Sequence, residues 1–213
     1  MTAEASVNPV RRPGYDYNTF VEDLRAILLR LKLRDVVLVG HSMGTGEVAH
    51  YLGTYGWQNI SRAVFIAPIP PFLLKTDDNP DGVDRSVFED IQESILKDRL
   101  AYLTDFYNVD QTLGTRLSKE VVQYSWNIAS VASPKGTYDC VAAWLTDFRP
   151  DVPKITIPSL IIQGDEDRIL PYPLTGKRLH QAIKRSSLVT LKGAPHGISW
   201  THAQEVNKAL LDF

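Results

Sequence analysis

The chain has 213 residues, 44% of them hydrophobic, and its 23 Lys and Arg against 25 Asp and Glu leave a formal net charge of -2. That length favours one globular domain, 1–213, able to remove roughly 70% of its unfolded surface from water, and no like-charge block is long enough to suggest a nucleic-acid or lipid-headgroup partner, so none is expected. The single cysteine, Cys140, excludes an intramolecular disulfide framework and a one-chain thiolate metal cluster, and is read as a small buried hydrophobe.

Residues 1–13 lack periodicity and carry Pro9 and Pro13, which predicts an irregular N-terminus. Thr19 with Glu22 then makes a capping box, and Phe20, Leu24, Ile27, Leu28 and Leu31 mark one face of an amphipathic helix. A strand follows at Val36 to Val39 and a helix from Gly46 to Leu52. Between them lies Gly40-His41-Ser42-Met43-Gly44. This G-x-S-x-G reads as a nucleophile elbow, a sharp strand-to-helix turn that lifts the Ser42 hydroxyl clear of the sheet and needs small flanking residues, here Gly40 and Gly44. The N–H of Met43, at the start of the helix, is placed to stabilise an oxyanion.

Ala63 to Ala67, Ser159 to Gln163 and Leu188 to Leu191 are short apolar runs that read as buried parallel strands. A crossover helix is predicted at Gly176 to Ala182, and Val206, Ala209, Leu210 and Phe213 mark a last helix. Strands alternating with helices give an α/β class with a mostly parallel sheet. From about Pro68 to Pro153 the pattern turns helical, with apolar faces at Phe88, Ile91, Ile95, Leu103 and Phe106, at Val121, Val122 and Ile128, and at Tyr138, Val141, Ala142 and Leu145. This is read as a helical cap insertion, 68–153. Phe72, Trp126 and Trp144 within it are the candidate substrate-binding aromatics.

A serine nucleophile needs an imidazole to take its proton and a carboxylate to orient that imidazole. His41, His50 and His180 lie in the elbow or on helices, whereas His196 sits in the loop Gly193-Ala194-Pro195-His196-Gly197 beyond a strand, whose glycines allow a turn that presents the ring, with His202 as the fallback. For the carboxylate, Asp165 and Asp167 are close rivals in the loop Gly164 to Arg168. The order serine, acid, histidine is that of α/β-hydrolases. No H-E-x-x-H or comparable ligand spacing occurs, so no metal is expected.

From about Gly14 to Phe213 the chain resembles the cofactor-free, non-haem chloroperoxidase and bromoperoxidase branch of the α/β-hydrolase superfamily, enzymes that also act as esterases. The resemblance is carried by GYDY at Gly14 to Tyr17, VGHSMGTGEVA at Val39 to Ala49, PFLLKTDDNPDG at Pro71 to Gly82, LGTR at Leu113 to Arg116, and GAPHG followed by WTH. It implies that Asp167, ahead of Arg-x-x-Pro, is the acid of a triad with Ser42 and His196, that Met43 supplies an oxyanion N–H, and that no cofactor is used.

The departure is at the front. The resemblance implies about eight strands and an early His-Gly-aromatic segment, whereas four strands are predicted here and the sole His-Gly pair is His196-Gly197. The expected fold is therefore an α/β-hydrolase with an N-terminally shortened sheet and an exposed strand edge that invites association into a homo-oligomer. The expected function is a serine hydrolase of small carboxylic esters, with hydrogen peroxide as the second acyl acceptor that the resemblance implies. The alternative is a truncated, catalytically silent relative acting by association. No membrane-length apolar run and no secretory signal are seen, so a cytoplasmic location is expected.

Overall fold

The computed structural model describes residues 14–107 and 117–213. The expected irregular segment 1–13 and the LGTR motif lie outside the described residues. In chain order the elements are α1 (Tyr17–Arg30), β1 (Val36–His41), α2 (Gly44–Tyr55), β2 (Ile60–Ile66), α3 (Arg85–Phe106), α4 (Lys119–Ser130), α5 (Pro134–Ala143), β3 (Ser159–Gly164), α6 (Gly176–Ala182), β4 (Ser186–Leu191), α7 (Ile198–Thr201) and α8 (Ala203–Asp212). No described helix is long and apolar enough to cross a membrane.

Among the described residues four strands form one parallel sheet in the order β1-β2-β3-β4, with Val39 opposite Val64, Val64 opposite Leu160 and Ile161 opposite Leu188. The central strands are apolar on both faces because helices cover both. Successive residues alternate between two cores. Phe65 and Ile161 join the larger core, with Tyr17, Val21, Val48, Leu52, Phe148 and Leu179, whereas Val64, Ile66, Leu160 and Ile162 join the smaller one, with Ile198 and Val206 of α7 and α8. β1 departs from this pattern. Leu38 and Gly40 are buried, but Val37 and Val39 on its other face are 46% and 54% exposed.

Two sequence expectations are corrected in α1. The helix starts at Tyr17, and its cap is Asp16, whose side chain accepts from the Thr19 N–H at 3.0 Å. Thr19 is therefore inside the helix rather than at its boundary. Of the expected face, Leu28 is buried and Phe20 and Leu24 pack against the core, but Ile27 and Leu31 face outward and Tyr17 and Val21 are buried in their stead. Cys140 is partly exposed rather than buried.

Between β2 and β3 the chain supplies α3, α4 and α5. Asp98 interrupts α3 with extended backbone, φ -159° and ψ 93°. Its carboxylate restarts the helix by accepting from Leu100 N–H at 3.1 Å and Ala101 N–H at 3.0 Å, as a side-chain cap does. Ser118 caps α4 and Ser133 caps α5, whose first residue is Pro134. The kinked α3 carries Phe106 to the mouth of the site, where α4 brings Tyr124, Ser125 and Ile128.

Candidate active site

β1 delivers the chain into a turn in which Ser42 adopts φ +52°, a left-handed conformation that costs a non-glycine residue on the order of 1–3 kcal/mol. The surroundings over-determine it. The Ser42 N–H donates to the Ile66 carbonyl at 2.9 Å, and the Ser42 carbonyl accepts from the Thr45 N–H at 3.0 Å and the Thr45 hydroxyl at 2.5 Å. That hydroxyl, fully buried, accepts in turn from the Ile69 N–H at 2.9 Å, which ties the turn to the segment leaving β2.

The glycines share the crowding unequally. A Cβ on Gly40 would lie 2.6 Å from the Gly44 carbonyl oxygen, and one on Gly46 2.5 Å from Tyr17 and 2.6 Å from Phe148, whereas Gly44 has open space. The two positions that must be bare are therefore 40 and 46, not 40 and 44.

α2 begins just beyond Met43, whose N–H lies among the first amides of a helix that have no intrahelical acceptor and sit at the positive end of the dipole. The Met43 carbonyl accepts from the Tyr17 hydroxyl at 2.8 Å, and Met43 Sδ accepts from Trp144 Nε1–H at 3.3 Å. Burial first, and the neighbouring Cys140 and Glu47 after it, push the Tyr17 phenol far above its ordinary value, so it stays a donor.

Ser42 Oγ lies 2.9 Å from His196 Nε2, and His196 Nδ1 lies 2.8 Å from Asp167 Oδ2. Asp167 and His196 are both buried. Nδ1 faces a carboxylate oxygen, an acceptor, and so carries the hydrogen, which leaves the Nε2 lone pair for the serine hydroxyl. The other Asp167 oxygen, Oδ1, accepts from the Ile169 and Leu170 amides at 3.0 and 2.8 Å. The adjacent Gln163 side chain spans to Leu170 O and Thr175 Oγ1 behind it. Asp165 points elsewhere, with Oδ1 accepting from the Gly193 N–H at 2.6 Å. It thus pins the loop that carries His196, and Gly193, at φ +67°, permits that loop's turn.

His202, the fallback base, lies in the interior between α7 and α8, with Nδ1 on Thr201 Oγ1 at 2.8 Å. His50 is engaged by Asp151 and Asn18, at 2.7 and 2.9 Å. His41 is nearer to the chemistry than its sequence position suggested, with its ring 5.3 Å from that of His196. Protein atoms around the ring, and next the adjacent His196, push the His41 pKa down to about 4, and water on its open side tempers this without reversing it.

A cleft of about 390 Å³ opens over the serine, lined among the described residues by His41, Ser42, Tyr124, Ile128, His196 and Trp200, with Phe106 and Tyr107 at its side. Its wall is aromatic. Tyr124 and Trp200 meet edge to face at 6.4 Å. Phe72, Trp126 and Trp144 are not among the described residues lining this cleft. Phe72 is buried beneath the Arg149 guanidinium, 4.6 Å from its ring centroid, and Trp126 donates to Leu100 O at 3.4 Å. The cleft aromatics converge from α3, α4 and α7, and periodicity within one helix carries no signal for such a meeting. Among the described residues no three His, Cys, Asp or Glu side chains converge as metal ligands would.

Comparison with known proteins fits this geometry. The family model described as the alpha/beta hydrolase fold matches residues 4–203. A Synechocystis sp. protein named, provisionally, a non-heme chloroperoxidase is 56% identical over 94% of this chain and 74% of that one. A bifunctional esterase/perhydrolase of Acinetobacter calcoaceticus is 35% identical over the same shares. Among solved structures, a bromoperoxidase from Bacillus anthracis aligns with a TM-score of 0.89 and 46% identity, over 93% of this chain and 74% of that chain.

Proposed function

Since the chain belongs to the alpha/beta hydrolase family and is an enzyme of it, we propose that it cleaves small carboxylic esters through an acyl-enzyme on Ser42. One observation carries the reading: Ser42 Oγ, both nitrogens of His196 and Asp167 Oδ2 lie in a continuous relay with steps of 2.9 and 2.8 Å. His196 Nε2 takes the hydroxyl proton as Oγ attacks the ester carbonyl, and Asp167 holds the ring and stabilises its charged form. The carbonyl oxygen gains negative charge near the Met43 N–H and the start of α2. His196 then returns the proton to the leaving alcohol. In the second half, water loses a proton to His196 and attacks the acyl carbon, which frees the acid and restores the Ser42 hydroxyl.

The cleft favours a neutral, apolar substrate, since its described lining has aromatic and aliphatic walls and no carboxylate, lysine or arginine. Hydrogen peroxide in place of water would release a peracid, which in turn oxidises halide. Support for that second acceptor comes from the relatives, one named an esterase/perhydrolase and others named non-heme chloroperoxidases.

The test is p-nitrophenyl acetate hydrolysis by the purified chain and by Ser42→Ala in parallel. Serine-dependent turnover, lost in a variant that still unfolds cooperatively, is the expected outcome. Equal rates in the two would overturn the assignment of Ser42.

A further inference from the structure

Met43 is half-buried beside the nucleophile, and its thioether is the acceptor of a directed hydrogen bond, from Trp144 Nε1–H at 3.3 Å. Thioether sulfur is a weak acceptor, and an indole N–H aimed at it finds a much better partner once the sulfur carries an oxygen. The same residue's backbone bears the N–H assigned to the oxyanion, and its carbonyl is held by the buried Tyr17 hydroxyl. Side chain and backbone at position 43 are thus both fixed by cap and helix contacts, so a change at the sulfur is transmitted to the amide one residue from Ser42.

We propose that Met43 is an oxidative modification site, converted by a peroxide to a sulfoxide that Trp144 holds and that slows the Ser42 reaction. The Sδ lone pair attacks one peroxide oxygen and an S–O bond forms as the O–O bond breaks. The departing hydroxide takes up a proton to leave as water, so sulfur loses two electrons and the peroxide gains them. The product is longer and polar where a flexible apolar chain had packed against the core. Accommodating it beside Trp144 displaces the turn that aims the Met43 N–H. Loss of an oxyanion donor costs on the order of 10²–10³ in turnover, so partial displacement is expected to lower kcat about tenfold or more, with a smaller change in KM. Cys140, the one thiol, is a poorer target because its partial burial pushes its pKa up and keeps it in the protonated form.

The activity half of this proposal rests on the esterase reading, and the modification half does not. The experiment exposes the purified chain to hydrogen peroxide with N-acetylmethionine in the same solution as an internal standard. The sequence has two methionines, Met1 and Met43, so peptide mapping assigns a gain of one oxygen unambiguously.

Expected are oxygen on Met43, a loss of p-nitrophenyl acetate turnover in step with it, recovery with methionine sulfoxide reductase, and a shifted indole N–H resonance of Trp144, assigned by its absence in Trp144→Phe. In Met43→Leu the ratio of treated to untreated rate is expected to stay near one. A thioether still intact when the standard is consumed, or a sulfoxide that leaves turnover and the indole resonance unchanged, overturns the proposal. No serine-dependent turnover before treatment defeats the functional reading and the activity half with it, and the mass and indole readouts then decide the modification alone.

Discussion

Two carboxylates lie two positions apart after β3, and their hydrogen bonds give them different work. Asp167 turns inward and is buried, with one oxygen on two backbone amides and the other on His196 Nδ1. Asp165 turns toward the neighbouring loop and takes the Gly193 N–H. Asp167→Asn preserves shape but offers His196 an amide in place of one carboxylate oxygen, which removes the charge that steadies the imidazolium and disfavours the tautomer the serine needs. Turnover of p-nitrophenyl acetate is expected to fall by on the order of 10³–10⁴. Asp165→Asn keeps an acceptor oxygen for Gly193 and is expected to lose less than about tenfold, since it replaces a charged hydrogen bond by a neutral one near the surface. Rate measurements on both variants decide the matter, and the reverse ranking would reassign the acid. The residues alone left the pair open because both fit the spacing. In the structure, the direction in which each side chain leaves the loop separates them.

At the scale of elements, the elbow is a packing problem solved by two bare α-carbons. Gly40 lets β1 pass the start of α2, and Gly46 lets α2 settle on Tyr17 and Phe148, whose rings meet edge to face at 4.8 Å. Gly46→Ala drives a methyl group into that pair and is expected to cost about 1–3 kcal/mol, as overpacking of a filled core does. Gly44→Ala meets open space within a helix, where alanine is the better former, and is expected to stay within about 1 kcal/mol of the parent. Urea unfolding of both variants checks this, and similar losses would show that the close approach at Gly46 does not govern docking of α2. The four strands were legible in the sequence as short apolar runs bounded by turn signals; burial on both faces explains the runs of the central strands β2 and β3, but not that of β1, whose Val37 and Val39 are exposed. The buried face of α1 was legible only in part, because its apolar residues surround much of the helix: Phe20, Leu24 and Leu28 do meet the core, but whether Val21 or Ile27 and Leu31 turn inward with them is settled by where the sheet lies, not by spacing. The turns that carry Ser42, Asp167 and His196 were legible for a different reason, since each follows a strand with a turn of recognisable composition. The cleft wall depends on long-range convergence and escaped.

Taken whole, the molecule covers its sheet unevenly. α7 and α8 close the smaller core over β2, β3 and β4 through Ile198 and Val206. β1, at the end of the sheet, has β2 as its single strand partner among the described residues. Its Val37 and Val39 side chains face outward, and the described part of α1 adds Ile27, Leu29 and Leu31 to the exposed apolar surface. Strand edges of this kind pair with other chains unless charge or a covering element prevents it, and no lysine or proline interrupts Val36 to His41. The purified chain is therefore expected to self-associate, with a weight-average mass by static light scattering that rises with concentration. Val37→Lys places an inserted charge on the exposed face, away from Ser42 at the other end of the strand. It is expected to lower that mass toward the monomer while leaving serine-dependent ester turnover per chain within about twofold, because a flanking charge blocks edge pairing without entering the core. A parent that scatters as a monomer at every concentration would defeat the open-edge argument. A variant that loses turnover together with self-association would tie the site's competence to that association.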